Sequence, residues 1–159
     1  MDKFKDFYKK QKEKLFSYLV RNTGDYHLSM DIMQESFTRY LEKYTNETGN
    51  TSLLYRIASN AVSDHFRKAK RIKPLEPYLN EGHVFQEDDL EIRQEYRQVL
   101  IYMKSLEEDE REILALVLTE DLKYSEIASI VGISEGNVKV KVHRARLKLK
   151  KMMQNGDLP

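Results

Sequence analysis

The last third of the chain holds a run of cationic side chains whose spacing suits contact with a negatively charged polymer. Every charged residue from Lys139 to Lys151 is basic, whereas a merely solvated helix usually mixes charges of both signs. A second basic stretch occupies 65–73, and acidic stretches occupy 86–91 and 107–112. The net charge of +1 hides this separation. The two basic segments predict two contact surfaces for a polyanion.

The C-terminal basic run lies on a predicted helix-turn-helix. A short helix from Tyr124 to Val131 should end at Gly132, because glycine adopts a left-handed backbone at little cost. Ser134 is then a suitable N-cap for a long helix from Glu135 to about Met153. Four apolar residues of that helix, spaced by four, three and four, form one stripe that we expect to be buried: Val138, Val142, Ala145 and Leu149.

The remaining positions at the start of the long helix should therefore point outward. These candidate DNA-contacting residues are Asn137, Lys139, Val140, Lys141, His143 and Arg144. A recognition helix enters the major groove with its N-terminal turns, where lysine and arginine reach base edges or phosphates. Asn137 can pair with adenine or a phosphate. A helical hairpin with a solvated basic face is the alternative interpretation.

The second basic surface lies on an earlier predicted helix that begins near Thr51 or Ser52, either of which can cap it. Its polar and aromatic positions are Tyr55, Arg56, Asn60, Asp64, Arg67 and Lys68. Aromatic rings beside basic groups suit stacking on unpaired bases and binding of backbone phosphate. An aromatic residue at helical spacing is also typical of a core, so both interpretations of Tyr55 stay open.

These segments belong to a chain that is helical throughout. A stripe from Phe4 to Leu19 predicts a first helix that stops at 22–24, and a second helix follows from about Leu28 to Tyr44. Pro74, Pro77 and Gly82 interrupt the periodicity, which resumes near residue 90. We predict an all-α fold of two small helical domains, 1–70 and 90–159, joined by a flexible linker at 71–89. The C-terminal domain is the helix-turn-helix.

Composition excludes several classes of protein. The chain has no cysteine, so it has neither a disulfide framework nor a thiolate metal site. No apolar run approaches the ~20 residues that span a bilayer, and no secretory signal is evident, so we expect a cytoplasmic protein without membrane insertion. The four histidines are scattered without metal-ligand spacing, and no glycine-rich phosphate loop is present. We expect no enzyme activity, no metal and no cofactor.

Three segments together resemble the extracytoplasmic-function (ECF) subgroup of bacterial RNA polymerase sigma factors. Residues 53–68, Leu-Leu-Tyr-Arg-Ile-Ala-Ser-Asn followed by Ala-Val-Ser-Asp-His-Phe-Arg-Lys, are similar to the family's promoter-melting helix. Residues 31–37, Asp-Ile-Met-Gln-Glu-Ser-Phe, resemble its polymerase-binding motif. Residues 124–146 resemble its second DNA-binding domain. The resemblance covers about 4–69 and 90–152, in the family's order.

The resemblance implies a sigma factor that binds core RNA polymerase and directs promoter-specific transcription initiation. It implies that one set of residues docks on the clamp helices of the polymerase: Asp31, Gln34, Glu35 and Phe37. A second set would recognise and melt the minus-ten element: Tyr55, Arg56, Asn60, Arg67 and Lys68, with the 46–50 loop helping Asn60 to hold a flipped base. The outward residues of 137–144 would contact the minus-thirty-five element.

The resemblance also implies a role for the linker and a further partner. The acidic linker would thread the RNA-exit path, where its charge mimics nucleic acid, and an anti-sigma protein is a candidate partner. Two positions depart from the family's usual pattern: Leu53 stands where tryptophan is usual, and Asn137 where threonine is frequent. The alternative function is a helix-turn-helix regulator that binds DNA without a sigma role, which would need neither the 31–37 motif nor a melting helix.

Overall fold

The computed structural model describes residues 2–43, 49–72 and 94–155, and within these ranges it contains seven α-helices and no strand. The helices are α1 (Asp2–Thr23), α2 (Tyr26–Lys43), α3 (Thr51–Ile72), α4 (Gln94–Lys104), α5 (Glu108–Val117), α6 (Tyr124–Val131) and α7 (Glu135–Asn155). The predicted all-α class is confirmed. The predicted 46–50 loop and 71–89 linker fall outside the described residues, apart from 49–50 and 71–72.

Aromatic side chains build the core of the first three helices. The rings of Phe7 and Tyr40 are stacked with centroids 5.1 Å apart, which joins α1 to α2. Tyr18 and Tyr55 meet edge to face at 5.4 Å, which joins α1 to α3. Such pairs contribute about 0.5–1.5 kcal/mol beyond the area that they bury. They fix which faces of α2 and α3 remain at the surface.

Side-chain caps set the ends of these helices. The Leu28 backbone N–H donates to Asp25 Oδ1 at 3.0 Å, so α2 begins two residues before the predicted start. The Leu53 N–H donates to Asn50 Oδ1 at 3.0 Å. Asn50 therefore caps α3, and the prediction that Thr51 or Ser52 does so was wrong.

The helix-turn-helix forms where the sequence predicted it. Gly132 ends α6 with a φ of 77°, and its N–H donates to Ala128 O at 2.8 Å. Ser134 Oγ accepts the Asn137 N–H at 3.1 Å and caps α7. Val138 is fully buried under α5 and α6. These contacts hold the start of α7 at a fixed angle to α6.

The two halves of the chain pack against each other through α1 and α3 on one side and α4–α6 on the other. Lys14 Nζ lies 2.6 Å from Asp121 Oδ2, and the Arg56 guanidinium donates to Ser129 O at 3.1 Å. The Ser59 hydroxyl donates to the Glu112 carboxylate. Polar contacts thus cross an interface that also closes one continuous apolar core.

Candidate nucleic-acid interface

The outer face of α7 presents most of the residues that were predicted to contact the upstream promoter element. Asn137, Lys139, Val140, His143 and Arg144 are exposed, whereas Val138, Val142 and Ala145 lie in the core. Val140 is 45% exposed, although it is apolar. This face therefore combines basic groups, an amide and an apolar side chain, which together can address phosphates, base edges and a thymine methyl.

Lys141 differs from its neighbours, because its ammonium group donates to the carboxylate of Asp109 and its side chain is only 29% exposed. The hydrogen bond from Lys141 lowers the pKa of Asp109. About two turns further along α7, Lys148 Nζ lies 2.7 Å from Glu110 Oε1, and this hydrogen bond raises the pKa of Lys148. The acidic stretch at the start of α5 thus neutralises part of the basic run.

The α3 surface splits into exposed and buried members. Asn60, Arg67 and Lys68 are exposed, and Arg67 forms an ion pair with Asp64. Arg56 is also exposed, but its guanidinium is bonded to Ser129 on α6. In the packed arrangement α6 therefore occupies the side of α3 that carries Arg56.

Tyr55 requires a correction. It was predicted among the minus-ten residues, yet its side chain is fully buried between α1 and α3, with its ring against Tyr18. Burial raises the pKa of its phenol well above the usual range. Its apolar ring stabilises the core. Tyr55 is therefore a packing residue in this structure, and its buried side chain is not placed to contact DNA.

The predicted polymerase-binding motif divides in the same way. Asp31, Gln34 and Glu35 are exposed on one face of α2, at spacings of three and four residues, and Glu35 forms an ion pair with Arg39 at 2.5 Å. Phe37 was predicted to dock on the polymerase, but it is only 4% exposed and its ring meets that of Tyr8 at 4.7 Å. Phe37 therefore orients α2, and the three polar residues form the accessible surface.

Sequence reasoning missed the partners of the acidic stretch. The run at 107–112 was visible as charge, but nothing in the sequence indicated that Asp109 and Glu110 would meet lysines of α7. Glu112 was missed as well: it is largely buried at the domain interface beside Ser59, and burial raises its pKa. Such pairings depend on how distant helices pack.

Two kinds of feature are absent from the described part of the chain. No three histidine, aspartate or glutamate side chains there come close enough to hold a metal ion. No helix in those ranges has the length and apolar character needed to cross a membrane.

A helix-turn-helix with an exposed basic face, joined to a second basic helix, defines a DNA-binding transcription protein. Comparison with known proteins identifies the family within this class. The model of sigma-70 region 2 matches residues 7–72, and that of sigma-70 region 4 matches residues 96–149. The chain belongs to the ECF subgroup of the sigma-70 family of RNA polymerase sigma factors.

Relatives of similar length support this assignment. The chain is 31% identical over 156 residues to the ECF RNA polymerase sigma factor SigM of Bacillus subtilis (strain 168), with 95% of each chain covered. It is 28% identical over 172 residues to SigW of the same organism, with 97% of this chain and 90% of the relative covered.

Solved structures share the fold. The sigma factor RpoE in complex with the anti-sigma factor NepR, from Bartonella quintana, superposes with a TM-score of 0.79 at 18% identity, over 97% of this chain and 98% of that one. CnrH in complex with the cytosolic domain of CnrY gives a TM-score of 0.71 at 19% identity, over 96% and 88%.

The chain is therefore a sigma factor, a subunit that works with core RNA polymerase and promoter DNA in promoter-specific transcription initiation. The alternative, a helix-turn-helix regulator without a sigma role, is not favoured, because the region 2 match covers the half of the chain that such a regulator would not need.

Proposed function

We propose that the sigma function rests on three surfaces, each carried by one helix. The exposed face of α2 binds core RNA polymerase, α3 reads and melts the minus-ten element, and α7 contacts the minus-thirty-five element. The division 1–70, 71–89 and 90–159 follows from this assignment, and the two family matches at 7–72 and 96–149 support it. The protein acts as a DNA-binding regulatory subunit in the cytoplasm, where core polymerase transcribes the chromosome.

The polymerase-binding surface consists of Asp31, Gln34 and Glu35. Their side chains share one face of α2 and point to solvent, while Phe37 holds the opposite face in the aromatic core. A rigid helix that presents two carboxylates and an amide suits a partner surface rich in basic and polar groups.

The minus-ten surface consists of Asn60, Arg67 and Lys68, with Arg56 added when α6 moves away. Arg67 and Lys68 carry two positive charges on one exposed turn, which suits the phosphates of a separated strand. Asn60 offers both a donor and an acceptor for a base edge. Tyr55 supports these residues from inside the domain.

The minus-thirty-five surface consists of the five exposed residues between Asn137 and Arg144. Lys139 and Arg144 supply charge for phosphates or guanine, and Val140 supplies an apolar contact for a thymine methyl. Lys141 joins them only when it leaves Asp109. Promoter specificity at this element therefore rests on a few side chains.

We infer that the packed arrangement is the DNA-free form and that polymerase separates the two domains. Arg56 is bonded to Ser129 on α6, so α3 and the helix-turn-helix hold each other in this form. One structural neighbour, the sigma factor RpoE, is in complex with the anti-sigma factor NepR. An anti-sigma protein that stabilises the packed form is therefore a proposed partner of this chain.

The strongest support for the proposal is the exposed polar face of α2, because a simple DNA-binding regulator does not need a surface for core polymerase. We expect Gln34→Ala to weaken binding of the fluorescently labelled chain to core polymerase about tenfold, in line with losing a well-packed interface contact. The same variant should bind an upstream promoter duplex like wild type. Gln98→Ala, an equivalent change at an exposed position on α4, is the control. Equal core binding by both variants would contradict the assignment.

A further inference from the structure

A cavity of about 160 Å³ lies where the two domains meet. One wall comes from the end of α1, the turn into α2 and the C-terminal part of α3, and the other comes from α4 and α5. An engineered cavity of about 150 Å³ accommodates benzene, so this space has room for a group of that size. None of the surfaces assigned above to DNA or polymerase uses it.

The cavity is lined by more positive than negative charge. Arg21, Lys104 and Arg111 contribute cations, and His65 lies beside them. Asp25 contributes the opposing carboxylate, and its Oδ1 is engaged by the Leu28 N–H as the cap of α2. The cavity also lies at the N-terminus of this 18-residue helix, where the helix dipole favours anions. The field inside therefore favours a negatively charged ligand.

Neither arginine has an ion-pair partner within the part of the chain that the structure describes. Arg21 donates through Nη2 to Ala115 O at 3.2 Å, while its Nε is buried and bonds to no described group. Arg111 makes only long contacts, 3.4 Å to Asn22 Oδ1 and 3.5 Å to Leu106 O.

Their surroundings offset only part of this charge. The Arg111 guanidinium lies 5.6 Å from the centroid of the Phe66 ring. The carboxylates of Glu108 and Glu112 lie near Arg111 and partly offset its charge, but Glu108 pairs with Lys70 and Glu112 accepts the Ser59 hydroxyl, so neither forms an ion pair with Arg111. Burial lowers the pKa of both Arg21 and Arg111, because desolvation penalises the charged form more than Tyr96 beside Arg21 and the two carboxylates beside Arg111 stabilise it.

We propose that this cavity binds a phosphate group, either free or carried on a small molecule, and that the bound phosphate holds the two domains together. The planar fork of arginine matches the oxygens of phosphate and makes charge-assisted hydrogen bonds to them. Because Arg21 and Arg111 stand on opposite walls, only the packed arrangement completes the site. Linkage then requires the ligand to oppose any partner that separates the domains. This last consequence rests on the proposed function, whereas the binding itself does not.

Isothermal titration of the full chain with inorganic phosphate, in a phosphate-free buffer of constant ionic strength, tests the site. We expect saturable binding with one ligand per chain. Arg111→Gln should weaken it about tenfold to a hundredfold, which is the effect of losing a charge-assisted hydrogen bond. Lys104→Gln should weaken it several-fold, and Lys9→Gln, an exposed lysine on α1, should leave it unchanged. Repeating the titration with glycerol phosphate separates a free ion from a carried phosphate: tighter binding of the ester identifies the carried form.

Domain packing provides the second measurement. The chain lacks cysteine, so dyes can be attached specifically to Glu42→Cys on α2 and Gln154→Cys on α7. Phosphate should increase energy transfer at the concentration that saturates the titration. Absence of binding, or equal binding by wild type and the helical, folded Lys104→Gln variant, would overturn the site. Binding without a change in energy transfer would overturn the coupling. Neither assay contains polymerase, so failure here is distinct from failure of the proposed function.

Discussion

Reversing one charge at the domain interface should open the packed arrangement. Lys14 on α1 and Asp121, between α5 and α6, form an ion pair that joins the two domains. Neither residue belongs to a surface that we assign to DNA or polymerase. Asp121→Lys replaces the attraction with a repulsion between two lysines and leaves the interior of both domains unchanged.

The expected magnitude follows from the exposure of this pair. The Nζ–Oδ2 distance is 2.6 Å, and the Lys14 and Asp121 side chains are 42% and 32% exposed. Such an exposed pair stabilises the packed arrangement by about 0.2–1 kcal/mol. Replacing the attraction with a repulsion roughly doubles this loss of free energy, to about 0.4–2 kcal/mol. The ratio of open to packed molecules should therefore rise about 2- to 30-fold. At 1 M salt the effect should shrink, because the screening length falls to about 3 Å.

Energy transfer between dyes at Glu42→Cys and Gln154→Cys measures this ratio directly. The swapped double variant, Lys14→Asp with Asp121→Lys, should restore most of the wild-type signal, because it recreates the attraction. Glu13→Lys is the control, since it makes the same change of charge at an exposed neighbouring position. If Asp121→Lys behaves like Glu13→Lys, or if the swap restores nothing, the pair does not hold the domains together.

Three substitutions in the helix-turn-helix domain give further predictions. Arg144→Ala should weaken binding to an upstream promoter duplex and reduce the slope of log K against log salt by about 0.9, and an unchanged slope would remove Arg144 from the phosphate contacts. Asp109→Asn frees Lys141 and should raise duplex affinity several-fold in the same titration, whereas weaker binding would show that the pair orients α7. Because the pKa of Asp109 is lowered, its ionised carboxylate stabilises the folded state above the unfolded-state pKa, and this stabilisation is lost as pH falls through the folded-state pKa. The free energy of unfolding of Asp109→Asn, measured with denaturant, should therefore depend less on pH in the acidic range than that of wild type. Gly132→Ala should lower the free energy of unfolding by about 1–2 kcal/mol. Since the space around an added Cβ is open, this cost comes from the φ of 77°. A urea midpoint equal to that of wild type would contradict a cost from this backbone conformation.

The sequence predicted the features that depend on local spacing. The stripe of Val138, Val142 and Ala145 determined which side of α7 faces the core, and Gly132 and Ser134 marked the turn before it. These features follow from helical periodicity and from backbone conformations that few residue types adopt. They were therefore readable without knowledge of any distant contact.

Other features depended on packing between distant segments and could not be read in this way. Tyr55 and Phe37 carry side chains that suit either a core or a binding surface, and only the positions of Tyr18 and Tyr8 decide between them. The ion pair of Asp109 with Lys141 spans 32 positions in sequence. No local pattern indicates which helix an acidic turn will meet, so the sequence did not indicate that Asp109 engages Lys141.

The most direct test of the central claim is transcription of fragmented genomic DNA by core RNA polymerase with and without the purified chain, followed by mapping of RNA 5′ ends. We expect a set of start sites that appears only with the chain and shares two sequence elements upstream. Gln34→Ala should lose these starts through weaker polymerase binding, and Arg144→Ala should lose them through weaker contact with the upstream element. Start sites identical to those of core polymerase alone would contradict the assignment of this chain as a promoter-directing subunit.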